Sequence, residues 1–365
     1  MTWEKEVKDI KKREELSLKH GGEESVKIHH QKGRKTLRER LSIILDEDSF
    51  QEMGKIAGDS EYDENGNFKN FTPANFLLGF GKINKRSVVI GGEDFTMKGG
   101  SPNPSGLRKS VYTEELALKY KIPLVRLHEG GGGSVAGAGG TAKKPTVPSG
   151  DAVFSKNRFQ ALGKCLGTVP VATAALGPVA GLPAARLVAS HFSVMTKNSQ
   201  VLIAGPAVVK RALGIDITKE ELGGPNVHLK SGVVDNLAED EDDALNQIKI
   251  FLSYLPNNYL ELPPKKETKD KRNRIENELL TIIPKERRKT YDVRKLLSLI
   301  LDLESFFEYG KYYGSSLITG LATMDGHPVA VLANDCRIYA GAMTASASIK
   351  LRRFIDFVNT FNIPV

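Results

Sequence analysis

Residues 38–55 read RERLSIILDEDSFQEMGK and residues 294–311 read RKLLSLILDLESFFEYGK; at a constant offset of 256 they agree at 11 of 18 positions. A chain that carries one stretch twice at this level has to build the same local structure twice. Leu41, Ile44 and Leu45 fall on one helical face, as do Leu297, Ile300 and Leu301. That spacing predicts an amphipathic helix in each copy, followed by an Asp and a Ser-Phe turn.

The correspondence resumes at an offset of 241. Gly79–Ile90 (GFGKINKRSVVI) sits over Gly320–Val331 (GLATMDGHPVAV), and each reads as two strands joined by an Asn-Lys or Asp-Gly hairpin turn. Lys121-Ile122-Pro123-Leu124 sits over Asn362-Ile363-Pro364-Val365. The change of offset is absorbed by an insertion in the first copy around Asp59–Pro73, which is polar and loop-like. Two homologous domains are therefore expected: 1–255, a basic linker over 256–289, and 290–365 as the start of the second. The first copy runs about 130 residues past Leu124, whereas the second stops at Val365, so the sequence is expected to be C-terminally truncated.

The net charge of +8 is concentrated: ten Lys or Arg against five Asp or Glu lie between Lys265 and Lys289. No aromatic residue interleaves with those charges, so base stacking has no support and a solvated linker is expected. Two cysteines, Cys165 and Cys336, are too few for a structural zinc site. No stretch approaches the ~20 apolar residues of a membrane helix. The charged N-terminus has no apolar core of a signal peptide, and an intracellular, cytoplasmic location is expected.

Strand-like and helix-like runs alternate from Val88 onward, which predicts an α/β fold of stacked β-α units. Two glycine-rich loops follow apolar strands and precede helices. The first is Glu129-Gly130-Gly131-Gly132-Gly133-Ser134, and the second is Leu176-Gly177-Pro178-Val179-Ala180-Gly181-Leu182-Pro183. Glycine lets backbone approach a ligand closely, and a following helix presents unpaired N–H groups. Two such sets of donors could hold the oxyanion of a thioester enolate. No G-x-S-x-G elbow, H-E-x-x-H or P-loop is present. His29 and His30 are expected at the surface, and His128 and His191 as satisfied core or loop histidines. The base has to be found elsewhere, for instance on a cofactor.

At these residues the sequence resembles the carboxyltransferase (β) subunit of biotin-dependent acyl-CoA carboxylases, the propionyl-CoA and methylcrotonyl-CoA group. KGRKTLRERLSIILDEDSF (32–50), GGEDFTMKGGS (91–101), GPAVVKRALGIDITKEELGG (205–224), HLKSGVVD (228–235) and SSLITGLATMDGHPVAVLAND (315–335) carry the likeness in family order. It implies two crotonase-like (ClpP/crotonase) β-β-α superhelix domains, the second truncated. It further implies transfer of a carboxyl group from carboxybiotin to the α-carbon of an acyl-CoA, with no metal. Backbone amides of Gly181 and Leu182 would hold the enolate oxygen. Gly130, Gly131, Gly132, Gly133 and Ser134 would line the thioester. Implied partners are a biotin carboxylase with its biotin carrier, and further copies of the chain in a hexamer, without nucleic acid or membrane insertion.

Two departures from the family pattern stand at these loops. Ser134 replaces an Arg, and Leu182-Pro183 replaces Gly-Ala, so the Leu182 side chain is expected to narrow the pocket. Two alternatives share the architecture or its absence of turnover: a biotin-coupled acyl-CoA decarboxylase subunit, and a non-catalytic assembly subunit.

Overall fold

The computed structural model describes residues 2–132, 158–268 and 270–365. The larger sheet is assembled from β1 (Gln51–Glu52), β4 (Phe76–Ile83), β5 (Arg86–Glu93), β6 (Leu124–Gly130), β7 (Val171–Ala180), β8 (Phe192–Thr196) and β10 (Asn236–Ala238), side by side in that order. β9 (Gln200–Leu202) pairs with the far end of β7. From β5 to β10 every pairing is parallel. All seven residues of β6 are buried, as a parallel strand covered on both faces requires. β2 (Gly58–Tyr62) and β3 (Phe68–Pro73) form a separate ribbon, and β11 (Phe307–Glu308), β12 (Leu317–Met324) and β13 (His327–Asn334) form a second sheet.

The repeat is visible bond by bond. Asp46 N–H donates to Lys82 C=O at 2.8 Å, and Asp302 N–H donates to Thr323 C=O at 3.0 Å. The Asp46 carboxylate accepts from the amides of Asn84 and Lys85 in the β4–β5 turn, and the Asp302 carboxylate from those of Asp325 and Gly326 in the β12–β13 turn. Val89 N–H reaches Pro123 C=O at 2.9 Å, and Ala330 N–H reaches Pro364 C=O at 2.7 Å. The helices Pro104–Tyr120 and Ala345–Thr360 are capped by the side chains of Asn103 and Thr344. An Arg-Glu pair recurs as Arg38–Glu52 and Arg294–Glu308, and burial lowers both nearby lysines, Lys109 and Lys350, to about 8.

Four expectations are corrected. The Asp59–Pro73 insertion is the β2–β3 hairpin, because the Asp63 carboxylate closes its turn on the amides of Asn65 and Asn67 while Phe71 is buried. Ile300 does not share the buried face of Leu297 and Leu301; it is exposed, and Leu299 is buried instead. His29 is buried rather than exposed, since its ring abuts Glu129. His128 is not satisfied: Nδ1 meets Glu93, but Nε2 is buried with no partner.

One apolar core draws on both copies. Phe192 stacks on Phe251, Phe251 on Phe357, and Tyr309 on Phe357. His191 sits in this seam, with Phe361 edge-on at 4.9 Å and Tyr309 donating its hydroxyl to the His191 carbonyl at 2.7 Å. Its Nδ1 accepts from Val171 N–H and its Nε2–H donates to Leu166 C=O. Burial pushes the ring down to about 4, so it stays neutral in the folded chain while an unfolded His takes a proton below about 6.5. The unfolded state thus binds more protons across that window, and stability falls as pH drops from 6.5 to 4 by about 3 kcal/mol from this group. Urea titrations at pH 7 and pH 4.5 should show that extra loss in the natural chain and a flatter profile in His191→Gln. Parallel profiles would sink the assignment.

Candidate active site

β6 and β7 run parallel, with Gly130 paired to Val179, so both chains leave the sheet at the same edge. The loops that follow meet backbone to backbone. A Cβ on Gly181 would lie 3.1 Å from the Gly132 Cα, and one on Gly132 would lie 3.1 Å from the Ala180 oxygen. Gly181 has φ 66° and ψ −125°, a conformation that side-chain-bearing residues rarely adopt. A third segment closes the junction: Gly131 N–H donates to Gly99 C=O at 2.8 Å, and Ser101 Oγ donates to Gly132 C=O at 2.9 Å. Gly100 has room for no side chain, because a Cβ would sit 2.6 Å from the Glu129 oxygen. Gly99–Ser101 ends the stretch 91–101 that carries the family likeness, but its position against the first loop was not legible in the sequence.

Each backbone donor here has an account. Gly131 is spent on Gly99, and Gly181 N–H donates to Leu202 C=O at 3.0 Å. Among the described residues, the N–H groups of Leu182 and Gly132 have no acceptor. Of the expected pair, the Gly181 amide is engaged by Leu202 C=O and the Leu182 amide is not. Gly133 and Ser134 lie outside the described residues.

A cavity of about 790 Å³ opens beside Gly181 and Leu182. Its walls include Ala185, Val188, Leu202, Ile203 and Val209, with His228 in the wall. The lining is almost wholly apolar, and Leu182 forms part of it. His228 was not singled out by its sequence context. Its Nε2 donates to Val201 C=O at 2.7 Å, and its Nδ1 has no partner.

Under the loops lies a set of buried charges. Glu129 is fully buried; Arg34 Nη1 lies 3.1 Å from its Oε1, and Arg40 Nη2 lies 2.6 Å from its Oε2. The Arg40 hydrogen bonds themselves go to Glu241 and to Leu176 C=O. Burial alone would raise Glu129, but the His29 ring and the Arg40 and Arg34 guanidiniums outweigh it and hold the carboxyl below its ordinary range. Gly177 makes this possible: a Cβ there would be 2.4 Å from Glu129 Oε1. For Glu93, burial is likewise outweighed by the His128 ring. Among the described residues, no group of three or more His, Cys, Asp or Glu is placed to hold a metal. Nor is any helix long and apolar enough to cross a membrane.

The family model for the carboxyl transferase domain matches residues 28–365. The chain belongs to this family. It is 32% identical over 371 residues to the carboxyltransferase subunit of propionyl-CoA carboxylase from Haloferax mediterranei, covering 100% of this chain and 69% of that one. It is equally, 32%, identical to the methylmalonyl-CoA decarboxylase subunit alpha of Veillonella parvula, covering 94% of this chain and 66% of the relative. Among solved structures, the transcarboxylase 12S hexamer with methylmalonyl-CoA bound superposes with a TM-score of 0.87 at 30% identity, covering 100% of this chain and 69% of that one. The chain spans about two thirds of the length of these relatives. Its parallel-rich sheet with flanking helices is the crotonase-like fold that the sequence suggested.

Proposed function

We propose that the chain is the carboxyltransferase part of a biotin-dependent acyl-CoA carboxylase, taking a carboxyl group to the α-carbon of an acyl-CoA. What supports this is the unspent Leu182 amide in the wall of an apolar cavity, with the Gly132 amide on the loop that packs against Gly181 beside it. A thioester oxygen between them would gain two hydrogen bonds that strengthen as enolate charge develops. The Leu182 and Val188 side chains would exclude water and receive the acyl group. Residues 1–255 would form the acyl-CoA side, and 290–365 would begin the biotin side, with 256–289 between them.

Biotin, supplied on a carrier, would bring the carboxyl group and a proton-accepting nitrogen. No residue of this sequence is assigned to biotin. The expected partners are a biotin carboxylase and carrier and further copies of the chain, within a cytoplasmic assembly. The same site chemistry would serve a biotin-coupled decarboxylase, and the match to the Veillonella subunit supports that second direction.

Leu182→Pro removes one N–H at a first helical position where proline is tolerated. In the intact enzyme assembled with its biotin carrier, kcat should fall by about 10²–10³ with little change in KM. Leu182→Ala keeps the N–H and should retain kcat while shifting acyl preference toward longer chains. A Leu182→Pro enzyme that is folded by circular dichroism and within twofold of natural kcat would overturn the assignment.

A further inference from the structure

A second cavity, of about 650 Å³, lies at the opposite end of the sheet, where Arg86 opens β5 and Pro123 precedes β6. The length of β6 places it roughly 20 Å from the glycine loops. Arg86, Lys249 and Lys266 all line it, from a strand, the helix Glu241–Ser253 and the linker. Among the described residues none of the three has an ion pair. Arg86 donates to Leu252 C=O and Asn257 Oδ1, Lys249 to Ile43 C=O, and Lys266 to Ser253 Oγ. The Lys266 ammonium also stands 3.2 Å above the Tyr254 ring centroid. Two carboxylates stand near them: Glu261 accepts from the side-chain amides of Asn257 and Asn258 and its charge also acts on Arg86, and Glu267 is an exposed residue of the lining; Asp325 pairs with Lys265.

Three part-buried cations whose hydrogen bonds go to neutral acceptors outnumber the two carboxylates near them and focus a positive potential into one cavity. Ile83, Val88 and Leu252 supply an apolar wall beside them. We propose that this cavity binds a phosphorylated small molecule, its phosphate oxygens against Arg86, Lys249 and Lys266 and its apolar body against Ile83, Val88 and Leu252. Such a ligand would tie the second copy to the first through the linker, because the Lys266 amide already donates to Gly326 C=O in the β12–β13 turn. Burial lowers Lys266 to about 8, so anion affinity should fall as pH rises through that value. The groups facing it are Ser253, Tyr254, Arg86, Lys249 and Glu267.

Inorganic pyrophosphate is the probe, titrated calorimetrically into the full chain at pH 7 and low salt, with and without saturating coenzyme A. Saturable binding of one anion per chain, a raised Tm and indifference to coenzyme A are expected. Lys266→Met and Lys249→Met should each weaken it at least tenfold while leaving the Tm of the free chain nearly unchanged. No saturable binding, equal binding by both variants, or displacement by coenzyme A would overturn the proposal.

Discussion

Glu114→Gln should lower the unfolding free energy by about 3–5 kcal/mol at neutral pH. Glu114 lies in the Pro104–Tyr120 helix, fully buried, with Oε1 2.5 Å from Arg126 Nη2 and 2.9 Å from Arg186 Nε. One carboxylate thus serves two interior guanidiniums, and among the described residues Arg126 Nε and Nη1 and Arg186 Nη2 have no hydrogen-bond partner. Glutamine keeps the volume and removes the charge, leaving two buried cations without their shared counter-ion. Urea denaturation measures the loss, and a change below about 1 kcal/mol would show that the charge is compensated elsewhere. The combined change Glu114→Leu, Arg126→Met and Arg186→Met should recover most of it, because an apolar cluster of similar size avoids the desolvation cost altogether. Arg186 belongs to the Leu182–Val188 helix, so the single variant should also loosen the segment that begins with the free Leu182 amide.

Arg40→Met should cost a similar amount, about 3–5 kcal/mol, and for the opposite electrical reason. Arg40 is 1% exposed and lies between two carboxylates, with Nε 2.9 Å from Glu241 Oε2 and Nη2 2.7 Å from Glu241 Oε1. Without it Glu241 and Glu129 are left in the interior with only Arg34 and His29 near Glu129. Glu129 would then protonate more readily, and since its carboxyl is depressed in the folded chain, the stability it contributes is lost as pH falls below about 4.5. Arg40→Lys should not rescue, because an ammonium cannot make the two-pronged contact with Glu241. A lysine variant as stable as the natural chain in urea would show that charge alone, without the fork, suffices.

The parts of this molecule that were legible in the sequence are those set by neighbours along the chain. The Asn-Lys and Asp-Gly turns, the Leu41 and Leu297 helices and the two glycine loops each depend on a few consecutive residues. The parts that were not legible join distant residues. Nothing around His29 foretells that its ring meets Glu129, one hundred positions later, and nothing around Gly177 says that a carboxylate fills the space beside it. Ile300 shows a subtler limit. Helical spacing says that Leu297, Ile300 and Leu301 share a face, but not how wide a stripe the opposing β12–β13 sheet covers. At the site, the two loops were recognisable, yet which amides remain free followed only from seeing Gly181 N–H taken by Leu202.

The paired aspartates, Asp46 and Asp302, give the chain an experimental property that single-copy proteins lack. Each folds its carboxylate over the turn of its own hairpin with matching bonds, yet one hairpin lies between antiparallel β1 and parallel β6 in the larger sheet and the other in a three-stranded sheet. The same substitution made at both places would therefore remove the same pair of carboxylate–amide bonds from an Asn-Lys turn and from an Asp-Gly turn in different surroundings. Their difference reads out how much of a turn's worth is lent by its two turn residues and its context together, measured within one molecule and one solvent, with no second protein needed as a reference.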